Sequence, residues 1–301
     1  MKDLRIVFMG TPEFAVESLK TLVEGGYNVV AVVTQPDKPV GRHGSVLQPS
    51  PVKEYAVSKN IPVMQPEKMK NEEFLEDLRS YNADLQVVVA FRMLPEVVWA
   101  MPRLGTFNVH ASLLPKYRGA APINWAIING EKETGVTTFF LDHEIDTGRI
   151  IFQKRTCIGD DENVEQLYDR LMVMGAEICQ QTIDAIIATD GKVETCAQAD
   201  VDIAACPAPK IFKDTCRIDW TKTREEVRNF VRGLSPYPAA WTMFNNQPMK
   251  IYKVSYEPTP LAVECSDGKL YISDLQLAGK KRMAVDAFMN GQQNKTGFHI
   301  E

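Results

Sequence analysis

Three side chains between residues 107 and 147 have the types and spacing to handle a reacting carbonyl group. The stretch reads FNVHASLLPKYRGAAPINWAIINGEKETGVTTFFLDHEIDT. Asn108 and His110 stand two apart on an apolar run. On a strand, residues i and i+2 project from one face, so an amide and an imidazole would aim at one spot. Asp146 follows 36 residues after His110, in a polar loop beyond a second apolar run, GVTTFFL. An amide N–H can hold the oxygen on which charge develops when a carbonyl carbon is attacked. The imidazole can move a proton and the carboxylate can orient it. Together these parts suit acyl or formyl transfer.

The elements that must position them alternate short apolar runs with helical patterns. RIVFM (5–9) reads as a strand ended by Gly10. Thr11 can cap a helix with Pro12 in its first turn, and Phe14, Ala15, Leu19, Leu22 and Val23 then keep helical spacing up to Gly25-Gly26. NVVAVVT (28–34), IPVM (61–64), LQVVVAF (85–91) and FNVH (107–110) read as further strands, and 51–59 and 67–81 as helices. Such alternation predicts an α/β fold with a doubly wound, mostly parallel, Rossmann-like sheet. In such sheets the chemistry sits beyond the carboxyl ends of the strands, where Asn108, His110 and residues 91–95 fall. A dinucleotide site is not expected: GTPEFA after the first strand has one Gly where that fingerprint needs three, and no phosphate-binding Walker pattern occurs.

A long amphipathic helix over 162–191 closes a first domain, 1–191. Residues 192–208 lack periodicity and lead into CPAPK, the expected linker. The second domain, 209–301, holds a short helix at 223–234, two prolines in SPYPAAWTMF, and period-2 runs at 249–256 and 269–277, which predict a small antiparallel barrel.

The composition is that of an ordinary globular protein, with 45% hydrophobic and 24% charged residues. No apolar run is read as the roughly 18 residues of a membrane span. The start MKDLRIVFMG lacks the pattern of a secretory signal, so the expectation is a cytoplasmic protein with no membrane partner. Six cysteines without a CxxC, and no His pair at ligand spacing, predict free thiols and no metal. The net charge of -5 is uneven: residues 207–301 carry 14 Lys+Arg against 10 Asp+Glu, and the rest 20 against 29. Lys210, Lys213, Arg217, Lys222, Arg224, Arg228 and Arg232 crowd one stretch, which fits a polyanionic partner.

On the motifs IVFMGTPEFA, VVTQPDKPVGR, SPVKEYA, NVHASLLPKYRGAAPINWAI, ETGVTTFFLDHEIDTG, RIDW, SPYPAAWT and LAGKK, the chain resembles the 10-formyltetrahydrofolate-dependent formyltransferase superfamily. Within it, the likeness is to the methionyl-tRNA formyltransferases, over nearly the whole length. That resemblance implies Asn108, His110 and Asp146 as catalytic residues. It implies Ser112, Leu113, Leu114 and Pro115 as a folate-binding motif, with Phe91, Met93, Leu94 and Asp142 completing the folate site. It further implies an OB-like second domain and tRNA contacts at Arg42, Lys38, Lys210 and Arg217. The implied reaction is formyl transfer from 10-formyltetrahydrofolate to initiator methionyl-tRNA, by a monomer and with no metal in the chemistry. Two departures stand out. Phe91-Arg92 occupies a place where the family commonly has Tyr-Gly. The loop Gly41-Arg42-His43-Gly44-Ser45 is poor in the lysines often found there, leaving Arg42 and Lys38 as its cations. The rival readings are a formyltransferase acting on an amino-sugar nucleotide and a non-catalytic folate- or RNA-binding protein.

Overall fold

A computed structural model of the chain describes residues 3–40, 46–201, 203–292 and 297–301. In chain order the elements begin β1 (Ile6–Gly10), α1 (Glu13–Glu24), β2 (Val29–Val33), β3 (Lys38–Val40), β4 (Val46–Gln48), α2 (Pro51–Ser58), β5 (Val63–Met64), α3 (Glu72–Ser80) and β6 (Leu85–Val89). They continue α4 (Glu96–Trp99), β7 (Thr106–His110), β8 (Lys116–Gly119), α5 (Pro122–Ile128), β9 (Glu133–Phe140), β10 (Ile150–Cys157) and α6 (Val164–Ala188). After β11 (Cys206–Ala208) come α7 (Arg224–Leu234), β12 (Ala240–Phe244), β13 (Gln247–Ser255), β14 (Ala262–Cys265), β15 (Gly268–Leu277), β16 (Met283–Ala284) and α8 (Val285–Asn290). The chain gathers into two compact units. One comprises Met1–Arg118, Gly135–Arg155 and Asp169–Pro207; the other comprises Gly119–Thr134, Thr156–Tyr168 and Ala208–Glu301.

The first unit is built on a seven-stranded sheet in the order β10-β9-β7-β6-β1-β2-β5. The pairs β1–β2, β2–β5, β1–β6 and β6–β7 are parallel, whereas β7–β9 is antiparallel. The sheet is therefore mostly parallel, as expected, with an antiparallel flank. Every residue of β1 and β6 is buried, which is why both read as unbroken apolar runs. From β1 the chain winds outward to β2 and β5, then crosses back to β6 and β7. The winding reverses between β1 and β6, and His110 ends β7 at the carboxyl edge where sheets of this kind place their chemistry, with Asn108 two residues before it.

Helix ends differ from expectation for local reasons. Helix α1 starts at Glu13 with Pro12 at its N-cap. The Thr11 hydroxyl instead faces β2's end, accepting from the Gln35 N–H at 3.4 Å. The helix expected over 67–81 begins at Glu72 because Asn71 caps it, accepting from the Glu73 N–H at 3.0 Å. The residues just before are held otherwise. Arg92 Nη1 donates to the Glu67 carbonyl at 2.9 Å, and Nη2 donates to that of Pro66. Arg92, which takes the place of the family's common glycine, thus fastens the loop after β6 to the turn after β5. Burial pulls its guanidinium below the ordinary arginine range.

Helix α6 is an apolar run of membrane-span length that the sequence reading did not single out. Over its 25 residues it is long and apolar enough to cross a bilayer by length and composition. Half of its most apolar window is buried inside the protein, including Leu171, Ile178, Cys179 and Ile183, as in a core helix.

In the second unit five antiparallel strands pair in the order β12-β13-β15-β14, with β16 on β15. The antiparallel orientation is the one the period-2 runs predicted. Period-2 alternation sends Met249 and Ile251 of β13 and Leu270 and Ile272 of β15 into one core with Val227 and Val231 of α7, and after a shift in register between the two strands Val254 and Leu275 join them. Helix α7 carries a complete capping box between Thr223 and Glu226.

Candidate active site

Strand β7 lies between β6 and β9, with Asn108 beside Val88 on one side and Phe139 on the other. Asn108 is partly exposed, and its side-chain amide has no hydrogen-bond partner among the described residues. His110 is buried at 6% exposure. Its Nε2 lies 2.8 Å from the carbonyl oxygen of Tyr117. A carbonyl only accepts, so Nε2 carries a proton and donates it there. Nδ1 is therefore the nitrogen left for chemistry, and it faces Oδ2 of Asp146 at 3.9 Å. The distance exceeds a direct hydrogen bond. The ring is oriented chiefly by the Tyr117 carbonyl, whereas the sequence assigned that task to Asp146. Two residues of this set, Tyr117 (φ 60) and Asp146 (φ 55), hold left-handed backbone, as does Ala90 (φ 47) at the end of β6. Such strain gathers where surrounding structure over-determines the chain.

The run Ser112–Pro115 is buried along its whole length. Ser112 and Leu114 are fully buried, Leu113 is 5% exposed, and Pro115 is buried. Leu114 packs with Phe139 and Ile150. Its polar backbone is also satisfied internally. The Thr137 hydroxyl donates to the Ser112 carbonyl at 2.6 Å and accepts from the Leu114 N–H at 3.2 Å, while Gln153 Nε2 donates to the Leu114 carbonyl at 2.8 Å. The leucines are core, so a bound ligand would rest against this segment without entering between them. Leu94 is likewise core, with Phe91 packed at its edge, while Met93 stays 70% exposed. Asp142 is exposed, and its Oδ1 accepts from the His143 N–H at 2.7 Å. His143 sits edge-on to Trp99 with ring centroids 5.4 Å apart.

The loop carrying Asp146 closes through Gly148. A Cβ there would collide with the Phe140 carbonyl oxygen, so only glycine allows the approach. Gly148→Ala is expected to cost about 3 kcal/mol through overpacking, read as a lower urea midpoint at unchanged m-value.

The expected cationic contacts divide. Arg42 lies outside the described residues. Lys38 is exposed on β3, paired with Gln48 of β4. Lys210 is exposed, its Nζ 5.5 Å from the Phe212 ring centroid, and Arg217 is exposed over Trp241 at 5.7 Å. The wider cluster is partly spent on structure. Arg232 is 8% exposed and donates to the carbonyls of Gly159 and Glu162, Arg228 pairs with Asp161, and Arg224 with Asp267. Lys213 and Lys222 remain exposed.

Tyr117, Thr137, Gln153 and Gln198 have no mark in the sequence. Tyr117 acts through its carbonyl, which every residue type possesses. The others reach their partners from 16 to 80 residues away.

Comparison with known proteins agrees with this architecture. The formyl transferase family model matches residues 4–183 and the formyl transferase C-terminal domain model residues 210–293. A protein of Parabacteroides distasonis named methionyl-tRNA formyltransferase is 59% identical, covering 96% of each chain. One of that name from Bacteroides thetaiotaomicron is 54% identical over 99% of each, and one from Phocaeicola vulgatus is 58% identical over 100% of this chain and 99% of its own. Among solved structures, a sugar 3N-formyl transferase crystallised with dTDP and 5-N-formyl-THF aligns at TM-score 0.66 and 22% identity, covering 92% of this chain and 99% of its own. HypX of Aquifex aeolicus in complex with tetrahydrofolic acid aligns at 0.66 and 16%, covering 95% of this chain and 46% of its own. These two likenesses speak to the fold. With both domain models matched and end-to-end identity above half, the chain belongs to the formyl transferase family, alongside relatives that carry the name methionyl-tRNA formyltransferase.

Proposed function

We propose that the chain transfers the formyl group of 10-formyltetrahydrofolate to the amino group of methionine on initiator methionyl-tRNA, in the cytoplasm and as a monomer. Residues 1–191 would carry the chemistry and 209–301 would bind tRNA. The observation that carries the reading is the 59% identity, along 96% of both chains, with a relative of that name. The folate supplies the formyl carbon as electrophile. Asn108, whose amide makes no other hydrogen bond among the described residues, donates to the formyl oxygen as charge builds on it. Nδ1 of His110 and the carboxylate of Asp146, 3.9 Å apart, would together receive the attacking amine. Asp146 takes the amine proton, with His110 also near the oxygen. The adduct then collapses and the bond between the formyl carbon and the folate nitrogen breaks. That nitrogen leaves with a proton returned by Asp146 or water, giving tetrahydrofolate and the formylated amine. Phe91, Met93 and Asp142 would border the folate, with the 112–115 segment beneath it. Lys38, Arg42, Lys210 and Arg217 would meet tRNA phosphates.

The test is formylation from 10-formyltetrahydrofolate with initiator methionyl-tRNA and an amino-sugar nucleotide as parallel acceptors. The expected outcome is rapid formylation of the tRNA alone, with apparent tRNA affinity falling steeply as salt rises. Activity on the sugar alone would transfer the same chemistry to a different acceptor and overturn the tRNA reading. No formylation of either would leave only binding.

A further inference from the structure

Gln198 has no chemistry of its own, yet it is 4% exposed and both ends of its amide are committed. Its Nε2 donates to the carbonyl oxygens of Asp146 at 2.8 Å and Gly148 at 2.9 Å. Its Oε1 accepts from Nε and Nη2 of Arg118 at 3.0 and 2.6 Å. A guanidinium only donates and carbonyls only accept, so the orientation of this amide is set by its neighbours. Arg118 directly follows Tyr117, whose carbonyl holds His110. One short path of contacts therefore joins the two members of the site: His110 to the Tyr117 carbonyl, along the chain to Arg118, across to Gln198, and on to the backbone of Asp146.

The segment that bears Gln198 lies within the expected linker, yet it is tied down. Cys196 and Ile150 exchange main-chain hydrogen bonds at 2.9 and 2.8 Å. Arg149 donates to the Thr195 hydroxyl at 2.6 Å and to its carbonyl at 2.7 Å. Val201 packs against the cluster of Leu114, Phe139 and Ile150. Gln198 is thus mounted on the edge of the sheet, whereas residues 142–145 of the loop it grips are exposed and Asp146 sits in left-handed backbone. Loss of the grip would free a strained residue to relax.

We infer that Gln198, braced by Arg118, is a positioning residue that sets where the Asp146 carboxylate stands relative to Nδ1 of His110. It acts through Asp146 and rests on the proton-accepting role proposed above. A displacement of about 1 Å at a reacting group can cost about a hundredfold in rate.

The experiment is a double-mutant cycle between Gln198→Glu and Asp146→Asn in the full-length enzyme, read by single-turnover formylation. Glutamate keeps the size of glutamine and an acceptor for Arg118, but turns an oxygen toward two carbonyls. The expected result for Gln198→Glu is a fall in kcat of about 10- to 100-fold. KM for folate and tRNA should stay within about twofold, and Q198E added to D146N should cost little more than D146N alone. Arg118→Met, which leaves the Gln198 donors in place, should show a smaller fall with the same pattern, and it carries the test if Q198E does not fold. Wild-type kcat in both variants overturns the inference while Asp146 stands. So does a loss in Q198E that is fully additive with D146N, which marks a general structural role. A D146N enzyme of wild-type kcat overturns the reading beneath and this inference with it.

Discussion

Asn108→Ala is expected to lower single-turnover formylation by about 10²–10³-fold with little change in folate affinity. The size follows from removing one donor aimed at an oxygen that gains charge only as the reaction proceeds, so the loss falls on kcat and spares ground-state binding. The substitution is clean for structural reasons. Among the described residues the Asn108 amide bonds to nothing, so truncation strands no partner. The strand keeps its ladder between β6 and β9. A stability change under about 1 kcal/mol is expected for a partly exposed site of this kind. Near-normal turnover in a folded N108A protein would remove Asn108 from the chemistry.

Asp146→Asn should be at least as damaging, with a fall of about 10²–10⁴-fold, the range for losing a positioned proton acceptor. Asparagine is the right replacement because it tolerates left-handed backbone as aspartate does, so φ 55 is preserved. The grip on the loop is preserved too, since Gln198 holds main-chain oxygens and not the carboxylate. What is lost is the capacity to take a proton. If N108A and D146N act on one reacting centre, their double variant will be less impaired than the product of the single losses. Retained turnover in D146N would shift the proton to Nδ1 of His110 or to solvent.

The sheet was legible because buried parallel strands are runs such as LQVVV that need no context to recognise. The pair Asn108 and His110 was legible because period-2 geometry is local. Four things were not. Helix starts at Glu13 and Glu72 depended on whether Thr11 and Asn71 turned their side chains toward the helix or away, which neighbours decide. The burial of Ser112–Pro115 rests on Thr137 and Gln153, on strands further along the chain, which satisfy that backbone. Residues 192–208 lacked periodicity because one pair of main-chain bonds at Cys196 and one buried amide at Gln198 do their work without repetition. The cation cluster in α7 was read as surface, yet Arg232 faces carbonyls and is buried.

Ala90, Tyr117 and Asp146 have a consequence for anyone who would make this protein more robust. Each occupies a conformation that costs an L residue about 1–2 kcal/mol, least for aspartate. Tyr117 holds His110, Asp146 belongs to the site, and Ala90 follows Val89, whose partner Val109 lies between Asn108 and His110. A screen for heat resistance would therefore be drawn to these positions, where glycine relieves the strain. The gains found there would slacken the mounting of His110 and Asp146. Durability and turnover would be traded against each other at three backbone torsions, and an engineer should look for reserve elsewhere.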